Sequence, residues 1–248
     1  MTMGRMAIDE TREAAFDAAL AALPCFAGAT DERYAPLLPK AFVLAGNYLK
    51  SFPQHGFSLS NTIRTDEEYL LSPTCCYPVF HGKRGARLPK RTLVTHKNLC
   101  FRCEEYYREG TRQIAFMMRE YILFAPTAEE ASDWTTRVKE EVSGLLRGMG
   151  LSVDVEAATD PFFNAQDYKQ KFQEDQNLKS EFVIGGIAVG SVNLHLRAFS
   201  KACDIRTEAN EPLYSACFGL GYDRLAHQLS LASAPKPQSA PAKEPSYV

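Results

Sequence analysis

The sequence has no run of 18 apolar residues, so it offers no membrane-spanning helix. It has no excess of one charge: 28 Lys and Arg against 30 Asp and Glu leave a net of -2. A tRNA binder usually shows a basic footprint, so no tRNA partner is expected. The first residues, Met1-Thr2-Met3-Gly4-Arg5-Met6, lack the apolar core of a secretory signal. Seven cysteines in 248 residues, an odd number, suit a reducing cytoplasm better than a disulfide framework. A cytoplasmic location and no membrane contact are therefore expected. There is no internal repeat, no Walker A motif and no C-x-x-C paired with H-x-x-H. What remains is ordinary for a soluble globular chain, at 45% hydrophobic and 23% charged residues.

The periodicity predicts one domain over residues 1–231 and a disordered tail over 232–248, where Pro235, Pro237, Pro241 and Pro245 stand among Ala, Ser and Lys. Asp9 to Leu23 is Ala-rich and amphipathic, and Ala35 to Phe52 is a second helical stretch that starts after Pro39. Thr92 to Tyr107 and Gln113 to Ala125 read as an antiparallel hairpin around Glu109-Gly110-Thr111. Thr127 with Glu130 forms a capping box, and the helix it opens ends near Gly148 or Gly150. Leu151 to Ala157 and Glu181 to Val189 read as strands, and Ser215 to Leu220 as a strand running into a helix, Asp223 to Leu231. The fold class is α+β.

Glu120 is the unusual residue of this pattern. Alternation places it on one face with Phe116, Met118, Ile122 and Phe124. A carboxylate on an apolar face needs a partner, because an uncompensated buried charge costs several kcal/mol or more. Cys76 and Cys217 would complete a zinc set with one coordination position open. The alternative is a surface glutamate on an edge strand plus two inert core cysteines. Cys100-x-x-Cys103 is not a chelate, since on a strand its sulfurs point to opposite faces. Arg102 and Glu104 share a face, as do Lys179 and Glu181, and Asn193 and His195. By themselves Arg102 and Glu104 read as a cross-strand ion pair worth little, and His195 reads equally as a satisfied core histidine.

Several segments together change the weight of these readings. Phe101-Arg102-Cys103-Glu104, with Arg112 and Phe116, has the form of motif 2 of class II aminoacyl-tRNA synthetases. Gly219-Leu220-Gly221-Tyr222-Asp223-Arg224-Leu225 has the form of motif 3. Further segments are Tyr48-Leu49-Lys50-Ser51-Phe52-Pro53, Ser72-Pro73-Thr74-Cys75-Cys76-Tyr77-Pro78, Met118-Arg119-Glu120, Asp160-Pro161-Phe162-Phe163, Lys179-Ser180-Glu181 and Ser191-Val192-Asn193-Leu194-His195. In this order they resemble the amino acid:[carrier protein] ligases, truncated relatives of atypical seryl-tRNA synthetases. The ordered set carries the resemblance, from Phe42 to Leu229.

The resemblance implies a class II synthetase catalytic domain, an antiparallel sheet flanked by helices, and a homodimer. It implies ATP, Mg²⁺ and zinc as cofactors, and a small acidic carrier protein with a phosphopantetheine arm as partner. Arg102, Glu104 and Arg224 would be catalytic. Arg102 would bind the α-phosphate, and Arg224 would lie against the nucleotide and its γ-phosphate. Arg112, Phe116, Glu181, Asn193, Gly219 and Gly221 would line the nucleotide site, with Glu181 meeting ATP and Mg²⁺ and Arg112 facing either the γ-phosphate or the carrier. Lys179, Glu104 and Asp160 would face the amino acid, although Asp160 reads equally as a cap of the next turn. Cys76 is chosen over Cys75 because the family's ligand directly precedes Tyr-Pro. The zinc would take the substrate's free amine. Gly219, beside the ligand Cys217, would leave room for a side chain at least as large as alanine's, unless only nucleotide approach requires it. The N-terminal segment matches poorly and motif 1 is not recognisable. Two other functions stay open: tRNA aminoacylation by a minimal seryl-tRNA synthetase-like enzyme, and a catalytically silent paralogue acting as a regulatory binding subunit.

Overall fold

Strand alternation and one capped helix together set the architecture. A computed structural model describes residues 9–45, 49, 52–60, 62–63, 68–158 and 178–233. In chain order these hold α1 (Glu10–Ala21), β1 (Thr30–Asp31), β2 (Leu37–Pro39), α2 (Lys40–Ala45), β3 (Ser58–Ser60), β4 (Glu68–Leu71), α3 (Cys76–Gly82), β5 (Arg87–Leu88), β6 (Thr92–Phe101) and β7 (Ala115–Ala125). There follow α4 (Ala128–Gly148), β8 (Asp154–Ala157), β9 (Lys179–Ile184), β10 (Ile187–Leu196), α5 (Ala198–Ala202), β11 (Arg206–Thr207), β12 (Tyr214–Gly221) and α6 (Tyr222–Ser233). The main sheet has seven strands in the order β1-β6-β7-β12-β10-β9-β8. Its β1–β6 pair is parallel and its other pairs are antiparallel.

The two faces of this sheet are covered differently. On one, Tyr121, Leu123, Phe182 and Phe218 pack with Phe26, Trp134, Val138 and Val142. Thr127 caps the helix that supplies the last three, its hydroxyl accepting the Glu130 N–H at 3.1 Å. Trp134 is fully buried and donates its indole N–H to the Cys25 carbonyl at 2.9 Å. Each such core side chain contributes about 1.5–3 kcal/mol by leaving water. On the other face Val94, Ile122, Phe124 and Cys217 pack against Cys76, Val79 and Phe80 of α3. This second face carries the site.

Arg119 joins α1 to the sheet through buried charge. It is 4% exposed and reaches Asp17 at 2.8 Å and Asp31 at 3.1 Å. Asp17 also accepts from Lys97 at 2.9 Å and from the Tyr222 hydroxyl at 2.6 Å. Burial pushes the Asp17 carboxyl up, but the bonds from Lys97, Tyr222 and Arg119 outweigh it and hold it below the usual value. Removing the buried guanidinium forfeits two hydrogen bonds to charged groups, each worth about 1.5–3 kcal/mol, although Asp17 keeps Lys97 and Tyr222. Arg119→Met is expected to lose roughly 3 kcal/mol in urea unfolding. A loss under about 0.5 kcal/mol, the range of an ordinary surface change, would contradict a structural role for this cluster.

Three expectations need correction or closer bounds. Glu181 to Val189 is not one strand: Gly185 and Gly186, at φ of 56° and 76°, turn it into the β9–β10 hairpin. Two consecutive left-handed residues suit a tight hairpin turn, and only glycine adopts them without a Cβ penalty. The motif 2 hairpin strands end sooner than expected, at Phe101 and Ala115, although the Arg102 N–H still donates to the Ile114 carbonyl at 2.9 Å. Cys75 is the N-cap of α3 and Cys76 its first residue. The last helix runs on to Ser233. The tail beyond it, the Asp160 segment, and Tyr48, Lys50 and Ser51 lie outside the described residues.

Candidate active site

Register brings Glu120 to its partners. On β7 it pairs with Gly219 of β12 and with His96 of β6. Cys217, two residues before Gly219, points to the same face. The first residue of α3, Cys76, packs onto this face with Cys217. The ligand atoms of Cys76, Glu120 and Cys217 all lie within 4.8 Å of one another, and all three residues are buried. Cys75 is directed away, its thiol donating to the carbonyls of His96 at 3.3 Å and Met118 at 3.6 Å.

The three groups strain one another's ionisation. Burial pushes the Glu120 carboxyl up to about 7, against bonds from the Cys217 and Cys76 thiols that pull it down. The Cys217 thiol is pushed far up by its bond to Cys76, by burial and by the Glu120 charge. The bond to Cys217 pulls Cys76 down, but burial and Glu120 leave it raised. Two sulfurs and one carboxylate oxygen, converging with their protons retained, form a donor set that fits zinc, whose bonds span ~2.3 Å to sulfur and ~2.0–2.2 Å to oxygen. Replacing the protons with a divalent cation would relieve all three shifts.

A pH dependence follows. Glu120 has a folded value of about 7 against 4.5 for an ordinary glutamate. Between those values the metal-free folded protein keeps a proton that the unfolded chain has released. The contribution of this group is thus fully present below pH ~4.5 and is lost as pH rises through ~7, roughly 3 kcal/mol in all. Metal-free protein is expected to lose stability between pH 5 and 8, and Glu120→Gln to flatten that loss. Parallel urea titrations check it, and equal slopes for the two proteins would contradict the burial argument.

Beside this cluster lies a group of guanidiniums. Arg102 donates from Nε to the Pro73 carbonyl at 2.9 Å and stands 5.1 Å over the Phe116 ring. Arg112 pairs with Glu104 at 2.8 Å and stacks on Tyr106 at 4.6 Å. Arg224 donates to the carbonyls of Thr111 at 2.7 Å and Ala188 at 2.8 Å. Burial, then Arg102 and Arg112, pull the Arg224 guanidinium down, while Glu104 and Glu181 act the other way. A buried Arg224 guanidinium disfavoured by two neighbouring cations suits a place prepared for an anion. Lys179 and Glu181, on one face of β9, pair at 3.0 Å.

Gly219 borders Glu120: a Cβ there would lie 3.6 Å from the carboxylate and 3.3 Å from the Met118 methyl. A Cβ at Gly221 would come to 3.4 Å from the Val189 carbonyl. Asn193 and His195 reach Cys217, with Asn193 Nδ2 at 3.6 Å and His195 Nε2 at 3.3 Å from its sulfur. Burial pushes the His195 imidazole down to about 3. Cys103 is separate from Cys100: the former accepts from the Tyr107 hydroxyl at 3.9 Å, while Cys100 is fully buried. One residue was missed. His55 is buried, stacks on Phe52 at 4.6 Å and lies 3.6 Å from Glu104. Its position two residues after Pro53 is the signal that the sequence offers.

No family model matches the chain. Amino acid--[acyl-carrier-protein] ligase 1 of Bradyrhizobium diazoefficiens is 31% identical over 232 residues, covering 81% of this chain and 70% of that protein. Ligase 2 of the same organism is 27% identical over 225 residues, covering 78% and 67%. Among solved structures, M. kandleri SerRS, in complex with A. aeolicus tRNASec, matches 89% of this chain with a TM-score of 0.73 and 19% identity. Giardia lamblia prolyl-tRNA synthetase, in complex with prolyl-adenylate, matches 90% with a TM-score of 0.68 and 16% identity. The chain spans about half of those two synthetases, 51% and 48%. They share its fold, that of class II aminoacyl-tRNA synthetase catalytic domains.

Proposed function

Because the chain belongs to the amino acid--[acyl-carrier-protein] ligase family, we propose that it activates a small α-amino acid with ATP and transfers it to the phosphopantetheine thiol of a carrier protein. The observation that carries this reading is the adjacency of two chemistries: Arg102, which groups with Arg112 and Arg224, also acts through its charge on Glu120 of the buried Cys76, Glu120 and Cys217 set. One suits a polyphosphate, the other an amine-selecting metal.

In the first step an amino acid carboxylate oxygen attacks the α-phosphorus of ATP, and pyrophosphate leaves. Charge grows on the equatorial phosphate oxygens. Arg102, held in place by the Pro73 carbonyl and the Phe116 ring, meets that charge. Arg224, fixed by two backbone carbonyls, supports the outer phosphates. Glu181 would share Mg²⁺ with the nucleotide, and Lys179, 3.0 Å from its carboxylate, would steady it. Cys76, Glu120 and Cys217 would hold a zinc ion, which supplies an open position for a neutral α-amine. Gly219 carries no Cβ beside the Glu120 carboxylate, where one would come to 3.6 Å, and the amino acid's Cα would lie on that side. In the second step the carrier thiolate attacks the aminoacyl carbonyl carbon, and AMP leaves with the bonding electrons.

The test is acceptor labelling. Protein, ATP, Mg²⁺ and each small amino acid are incubated with a holo-carrier from the source organism's genome, and the carrier is weighed by mass spectrometry. A mass gain of one aminoacyl group on the holo form and none on the apo form is expected. Labelling of tRNA with no carrier ever labelled would overturn the acceptor assignment. Absence of ATP–pyrophosphate exchange with every amino acid would support the silent-paralogue reading instead.

A further inference from the structure

The histidine behind Cys217 has no part in the steps above, yet its surroundings are specific. Its Nε2 lies 3.3 Å from the Cys217 sulfur and its Nδ1 3.2 Å from the Ser215 hydroxyl oxygen. The ring is boxed edge-on by Phe199 at 4.8 Å and Phe80 at 5.7 Å, and those two phenyl rings stack on each other at 4.3 Å. The imidazole therefore has little freedom to turn. The backbone is bent to place it there. The β10–β12 ladder shifts register between Leu194 and Leu196, leaving His195 as the extra residue opposite β12. The next residue, Leu196, has a φ of 54°, a left-handed conformation that a leucine adopts only when its surroundings impose it.

His195 is not a member of the buried ligand set. It touches one ligand of that set from behind. When Cys217 is a metal-bound thiolate it carries no proton, so the short contact must be an N–H···S bond donated by Nε2. Nδ1 then has to be the accepting nitrogen, with the Ser215 hydroxyl donating to it. Asn193 Nδ2, at 3.6 Å, is a second donor to the same sulfur.

We propose that His195 is a positioning residue for the metal centre, donating from Nε2 to the Cys217 thiolate in a tautomer selected by Ser215. The inference rests on the zinc reading above. Its physical effect is on the metal's electronics. A donated hydrogen bond draws charge from the sulfur, weakens its donation to the ion, and leaves the ion a stronger Lewis acid at its open position. It also holds the Cys217 side chain aimed at the ion, which favours binding. The ligand residues choose the metal, while His195 and Asn193 set how strongly that metal attracts an amine.

Two measurements test this, neither requiring turnover. In zinc-loaded wild-type protein, ¹⁵N–¹H correlation spectra of the histidine rings should show His195 protonated at Nε2 and bare at Nδ1. The opposite tautomer would overturn the proposal, and no variant is needed to obtain the answer. In cobalt-substituted protein, His195→Phe fills the same box without a donor. The sulfur-to-cobalt charge-transfer band should move to longer wavelength, and zinc affinity by chelator competition should fall about 10–100-fold. His195→Gln, whose amide can still donate, should return the band most of the way. An unmoved band and zinc affinity within about twofold of wild type in folded His195→Phe would defeat the proposal. So would identical shifts in the Phe and Gln variants, which would mean that ring packing alone acts. Wild-type protein that takes up neither zinc nor cobalt would bring down the zinc reading itself, and this inference with it.

Discussion

Arg102→Ala is expected to abolish ATP–pyrophosphate exchange in a protein that still folds. The expectation follows from where this guanidinium sits. Arg102 is the first residue after β6, tied into the hairpin by its N–H bond to the Ile114 carbonyl. Its side chain is oriented before any ligand arrives, by the Pro73 carbonyl and by the face of Phe116. A charge fixed in advance stabilises a developing anion without reorganisation at the moment of reaction. Loss of a single such donor typically costs ~10²–10³ in rate, and a guanidinium able to make two charged bonds to one phosphate sits at or above the upper end. Exchange should therefore fall by at least about 10³-fold. Arg102→Lys should recover only part of it, because an ammonium is a point charge and cannot fork. The fold should survive, since Arg102 packs on the rim and the core beneath it is intact. Circular dichroism and the unfolding midpoint check this. Exchange at the wild-type rate in Arg102→Ala would remove Arg102 from the chemistry.

Cys217→Ser should empty the metal centre. Wild-type protein is expected to carry close to one zinc per chain and Cys217→Ser almost none, measured by plasma emission after dialysis. The same is expected of Cys76→Ser. With three protein ligands, losing one thiolate removes a third of the donors and the stronger kind. Amino acid activation should be lost in step with the metal. The neighbouring cysteine makes this decisive. Cys75 donates its thiol to two backbone carbonyls, a task that a serine hydroxyl performs equally well. Cys75→Ser should keep its zinc. Zinc-free wild-type protein, or zinc lost from Cys75→Ser and kept in Cys76→Ser, would defeat the assignment of Cys76, Glu120 and Cys217.

The chain's local grammar was legible wherever one residue decides one local conformation. Thr127 caps α4 by accepting the Glu130 N–H at 3.1 Å. The alternation from Phe116 to Phe124 placed Glu120 on an apolar face, and the structure buries it there at 5% exposure. The turn at Gly185-Gly186 is equally local, although strand-forming residues flank it on both sides. Its two adjacent glycines were the signal.

Partnership between distant residues was not legible by periodicity. Alternation says that Glu120 needs a partner, but not which one. The answer lies in the β7–β12 register, which sets Glu120 opposite Gly219 and so brings Cys217 within reach. A register slip of one residue would have turned Cys217 to the other face. Choosing Cys76 over Cys75 depended on resemblance. Its physical cause is the start of α3 at Cys76, since successive helical residues point about 100° apart. The bulge that turns His195 onto Cys217 had no counterpart in the local pattern, because a bulge is a mismatch between two strands and neither strand alone contains it. By itself the sequence determined the elements, their caps and the faces on which charged residues fall, because these depend on neighbours within about one helical turn. Tertiary structure decided which thiol, which acid and which histidine meet, because register and strand order are properties of pairs of segments far apart in the chain.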